Sequence, residues 1–75
     1  MQLGTRWGVG AEAPERLSEE FVARIRHVEA QLVGIDTSQW RWTLTWLEGR
    51  PVAELDDGTV VRLRSTGEIT IESLD

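Results

Sequence analysis

Tryptophan stands at three alternate positions in one short run, Trp40-Arg41-Trp42-Thr43-Leu44-Thr45-Trp46. Successive side chains of a β-strand point to opposite faces, so this spacing sets Trp40, Trp42, Leu44 and Trp46 on one face. Arg41, Thr43, Thr45 and Leu47 fall on the other. That much aromatic surface on one side of a strand must either be buried under another element or be offered to a partner. The rest of the chain has to be read with that choice in view.

From Gln39 onward the period-two pattern persists, interrupted by turn signals. Four strands are expected, at Gln39–Glu48, Pro51–Leu55, Thr59–Arg64 and Glu68–Ser73. A two-residue turn at Gly49-Arg50 pairs Trp46 with Ala53 and Leu44 with Leu55. A three-residue loop, Asp56-Asp57-Gly58, with glycine in the left-handed bulge position, pairs Ala53 with Val61. A second such loop, Ser65-Thr66-Gly67, pairs Leu63 with Ile69 and Val61 with Ile71. In this register the large apolar groups gather on one face: Trp40, Trp42, Leu44, Trp46, Ala53, Leu55, Val61, Leu63, Ile69 and Ile71. The opposite face carries Arg41, Thr43, Thr45, Glu54, Arg62, Arg64, Glu68, Thr70 and Glu72, with a small apolar strip of Leu47, Val52 and Val60. A slip of one residue at either loop would mix the two sets.

The cover for the apolar face lies earlier in the chain. Ser18 is a good N-cap, and Glu19 and Glu20 follow it in the first turn, where the helix dipole favours carboxylates. Leu17 and Val22 have the spacing of a hydrophobic staple. Phe21, Ile25, Val28 and Leu32 recur at helical spacing, while Glu20, Arg24, His27 and Gln31 fall opposite them. Gly34 is placed for a left-handed residue just past the end. A helix over Glu19–Val33 is expected. Residues 1–14 hold Gly4, Gly8 and Gly10 among Leu3, Trp7 and Val9, a pattern that suits an extended arm or a short edge strand and not a helix. The expected fold is therefore α+β in two layers: one helix on one face of a four-stranded antiparallel β-meander, with an N-terminal extended arm or short strand.

The chain of 75 residues has room for one domain, 1–75, in which 1–14 is the arm, 19–33 the helix and 39–73 the meander. With no cysteine, disulfides and thiolate metal sites are excluded. No stretch is long or apolar enough to span a membrane, and the first residues lack the pattern of a signal peptide, so the expected location is the cytoplasm. The net charge of −5 argues against a generic nucleic-acid binder, whose affinity rests on phosphate neutralisation. All eight basic residues are arginine, as a GC-rich genome would favour.

Several motifs reduce to structural roles. The arginines and tryptophans of the run point to opposite faces, so they cannot form one stacking-and-phosphate surface. Arg64 lies opposite Glu68 and Arg62 diagonal to Glu72, which suggests cross-strand ion pairs. Asp56-Asp57-Gly58, with Glu54 nearby, reads as a tight turn and not a cation site. His27 is alone and has no nucleophile beside it. The glycines near Arg6 lack the Lys-Ser/Thr and the preceding strand of a phosphate loop. No catalytic site, metal or cofactor is expected.

In the expected register Leu44 and Trp46 belong to the core, while Trp40 and Trp42 overhang the second strand of the meander. The candidate binding residues are accordingly Trp7, Trp40 and Trp42, with Arg41 and Arg6 at the rim. They suit a binding or adaptor module that contacts another protein or a second copy of the chain as a homodimer. A small-ligand cleft lined by Trp7, Trp40 and Trp42 is the alternative, and an RNA-binding accessory role is disfavoured by charge.

Overall fold

In the computed structural model, residues 4–73 are described; the first three residues of the expected arm lie outside that range. Helix α1 spans Glu19–Ala30, and Ser18 caps it, its hydroxyl accepting the Phe21 N–H at 3.1 Å. The helix stops three residues short of the expected end. Its last turn tightens into i→i−3 bonds from Gln31 to Val28 and from Leu32 to Glu29. Val33 falls off the apolar stripe and stands 86% exposed. A polar turn follows, in which the Ser38 N–H donates to the Asp36 carboxylate and, with the Ser38 hydroxyl, holds its pKa below the usual value.

Five antiparallel strands form one sheet in the order β1-β2-β3-β4-β5: β1 Thr5–Gly8, β2 Arg41–Leu47, β3 Arg50–Leu55, β4 Thr59–Leu63 and β5 Ile69–Ser73. The N-terminal segment is thus an edge strand, and the sheet has one strand more than the expected meander. β1 sets Trp7 opposite Trp42 and Thr5 opposite Leu44. Its backbone enters close to β2 at Gly4, where a Cβ would lie 2.9 Å from the Leu44 carbonyl oxygen and 3.1 Å from a Thr43 methyl. Substitution of Gly4 by alanine is expected to push the start of β1 off β2, costing about 1–3 kcal/mol as an overpacked contact. Chemical denaturation checks this, and a stability unchanged from wild type would show that the approach is not tight.

The registers of β3 with β4 and of β4 with β5 are those expected, Ala53 facing Val61, Val61 facing Ile71 and Leu63 facing Ile69. The β2–β3 register is not. Leu47 faces Arg50, Leu44 faces Ala53 and Trp42 faces Leu55, so the turn residues are Glu48 and Gly49 and not Gly49-Arg50. Both have positive φ, 54° and 79°, the mark of a type I′ turn. Proline explains the difference. With Gly49-Arg50 in the turn, Pro51 would be the residue whose N–H must close the hairpin onto Glu48, and proline has none. Moving the turn back by one residue puts Arg50 there instead. Glu48 then takes a left-handed conformation, at a cost of about 1 kcal/mol.

Shifting the turn by one slides the pairing by two, which leaves each residue on its expected face but exchanges the roles of the tryptophans. Trp42, expected to overhang, is wholly buried between Trp7 and Leu55. Trp46, expected in the core, is half-buried beside the turn. The core joins Leu17, Phe21, Ile25 and Val28 to Trp7, Trp42, Leu44, Ala53, Leu55 and Val61. The backbone of α1 comes closest to β4 and β5. The wider space above β1 and β2 is left to larger side chains, and there the Trp7 and Trp42 rings stack with centroids 6.2 Å apart and planes at 17°. Two apolar residues also depart from expectation. Val60, on the outer face, is 3% exposed in a row between Glu54 and Glu72, while Ile71, on the inner face, is 40% exposed because β5 is a sheet edge.

Candidate interaction surfaces

The five residues expected to bind do not form one surface. Trp7 and Trp42 stack on each other inside the core, so the cleft that Trp7, Trp40 and Trp42 were expected to line is closed. Trp40 is half-buried against that core, and its backbone N–H donates to the Thr37 carbonyl at 2.9 Å. Arg41 and Arg6 are exposed on the outer face, Arg6 opposite Thr43. The Arg41 N–H donates to the Asp56 carboxylate at 2.9 Å. Asp57 accepts the Thr59 N–H at 2.8 Å, so one carboxylate of the acidic turn holds the turn itself and the other ties it to the start of β2. Among the described residues no group of three or more His, Cys, Asp or Glu is placed to hold a metal ion, and no helix is long and apolar enough to cross a membrane.

A polar tie beneath Trp42 is not evident from the sequence pattern. One oxygen of Glu29 accepts both the Trp42 indole N–H and the Gly10 N–H, each at 3.0 Å. The other accepts from Arg26 Nη1 at 2.8 Å, while Arg26 Nη2 donates to the Ala11 carbonyl at 2.9 Å. One carboxylate therefore links the helix, the buried indole and the segment that leaves β1. The hint lay in helical spacing: Glu29 is four residues after Ile25, at the border of the apolar stripe, and a buried indole needs an acceptor. Trp7 has none, its Nε1 being buried without a protein partner.

Two open surfaces stand out among the described residues. The first is a groove of about 440 Å³ between the end of α1 and the β5 edge, lined by His27, Val28, Gln31, Leu32, Thr59 and Ile71. Hydrogen-bond geometry makes this edge receptive. The Arg64 N–H donates to the Glu68 carbonyl at 2.8 Å, closing the β4–β5 loop. Bonded and non-bonded pairs alternate from there, so Ile69 and Ile71 turn their own N–H and C=O groups away from β4. The second surface is a hollow on the outer face, of about 340 Å³, bordered by Arg50, Arg62 and Arg64. A smaller hollow of about 180 Å³ beside Trp46 and Arg16 is below the size of ordinary ligand pockets.

Compared with protein families, with curated proteins and with solved structures, the chain matches none of them.

Proposed function

We propose that this chain is a small cytoplasmic protein-binding module that takes up an extended segment of a partner protein along β5. The observation that carries the reading is the outward-turned backbone of Ile69 and Ile71 next to the apolar floor of Val28 and Leu32. A partner strand laid there would add main-chain hydrogen bonds to the sheet and drop alternate apolar side chains into the groove. Ile-Thr-Ile at positions 69–71 is a run of β-branched residues suited to such pairing. β1, the other edge, is one residue shorter and is bounded by Gly4 and Gly8, which weakens it as a template. The proposal includes no catalytic step and needs no cofactor, and the half-buried Trp40 and the rim residues Arg41 and Arg6 lie outside this surface.

Ile71→Lys tests the reading, because a charge on an edge strand blocks further pairing. The side chain is 40% exposed and the lysine stem can still lie along the groove, so stability should fall by only about 1 kcal/mol. Partners recovered from source lysate by the wild type should be lost with Ile71→Lys and retained with Arg6→Gln. In the recovered complex the Ile69 and Ile71 amides should exchange with solvent markedly more slowly than in the free protein. The same partners on Ile71→Lys, or unchanged exchange at both amides, would remove β5 from the interaction. A doubled mass of the isolated protein by light scattering would instead assign the edge to a second copy.

A further inference from the structure

The outer-face hollow gathers three of the chain's eight arginines, although the net charge is −5. Val52 faces Arg62, and the same register continued by two residues sets Arg50 across from Arg64. Like charges opposed across a sheet are destabilising unless an anion lies between them. The protein's own anions cover them only in part. Glu72 bridges Arg62, at 3.2 Å, and Arg64. Arg50 has Glu48 at 2.9 Å, but that carboxylate is 76% exposed and sits in the hairpin turn, so the pair is weak and easily displaced. Arg62 Nε is buried with no acceptor. Ser65 and Thr66 bring hydroxyls to the rim, and Leu47 and Val52 supply an apolar side.

We infer that this hollow is an anion site for a phosphoryl group carried on a small apolar body. Three guanidinium groups against Glu72 leave two positive charges once Glu48 swings away, which matches a phosphate dianion and exceeds a single carboxylate. Planar guanidinium forks suit phosphate oxygens, and the hydroxyls add donors. The apolar body would lie on Leu47 and Val52. This site is on the opposite face of the sheet from the inward-facing Ile71, and it stands or falls independently of strand addition at β5.

Phenyl phosphate titrated into the ¹⁵N-labelled protein is the direct test. Saturable shifts are expected in the side-chain Nε–H signals of Arg50, Arg62 and Arg64 and in the Leu47 and Val52 methyls, with a Kd of about 1 mM or tighter. Arg50→Gln and Arg64→Gln should each weaken binding about tenfold, the loss of one charge-assisted contact, while Arg41→Gln leaves it unchanged. The amide spectrum of each variant reports that its fold is intact. Inorganic phosphate should bind about tenfold more weakly, for want of apolar contact. Equal binding of inorganic phosphate would overturn the apolar half of the inference. Shifts spread evenly over all the arginines, or none that saturate by about 10 mM, would overturn the site.

Discussion

Replacement of Trp42 by alanine is expected to remove about 3–5 kcal/mol of stability, the cost of emptying a fully buried aromatic position. At 0.05–0.15 kcal/mol per residue a chain of this length holds roughly 4–11 kcal/mol in all, so the variant loses a large share of its stability and, at the low end of that range, unfolds at room temperature. The loss is large because the ring meets every layer. It stacks on Trp7 of the edge strand, stands beside Leu55 of β3 and hydrogen-bonds Glu29 of the helix. Trp46→Ala, by contrast, truncates a half-buried ring beside the turn and should cost about 1 kcal/mol. Urea denaturation followed by circular dichroism compares the two. The order of the two effects reports the β2–β3 register directly: a costlier loss at position 46 would restore the pairing expected from a Gly49-Arg50 turn and refute the one seen here.

That comparison also locates the boundary of what could be read from the chain. Face assignment was legible, because alternation in β2 through β5 survives any slip by two residues. The helix start was legible from Ser18, and both glycine-ended loops gave their registers correctly. The β2–β3 register was legible in principle but hung on one atom, the hydrogen that Pro51 lacks. Missing it reversed which tryptophan is core and moved the expected contact site onto buried residues. The pairing of β1 was harder to read, since four residues flanked by glycine carry little propensity and are held by non-local contacts, Trp7 on Trp42 and Gly4 against Leu44. On the outer face the ion pair of Arg62 with Glu72 was expected, but Arg64 also reaches Glu72 and meets Glu68 only through the backbone. Neither surface now proposed could have been found by pattern alone. The β5 groove depends on where the helix stops, and the arginine hollow on how Arg50 is brought round by the corrected turn.

Alanine at position 29 should cost about 2–3 kcal/mol, although Glu29 lies outside the apolar core. It strands the Trp42 indole N–H in a partly buried setting and takes the acceptor from Arg26, whereas the exposed Gly10 N–H can turn to water. Glutamine at the same position separates charge from hydrogen bonding. Its carbonyl can still accept from Trp42 and Gly10, and only the ion pair with the 41%-exposed Arg26 is lost, so the expected cost is about 1 kcal/mol or less. Exchange of the Trp42 indole proton and the Gly10 amide should quicken in Glu29→Ala and stay close to wild type in Glu29→Gln. A double-mutant cycle with Trp42→Phe, which removes the indole donor but keeps a ring, isolates the bond itself and should give a coupling of about 1–2 kcal/mol. Strict additivity in that cycle would mean that Glu29 is a solvated neighbour of Trp42 and not its anchor, and would leave the Gly10 and Ala11 bonds as the polar ties between the helix and the segment after β1.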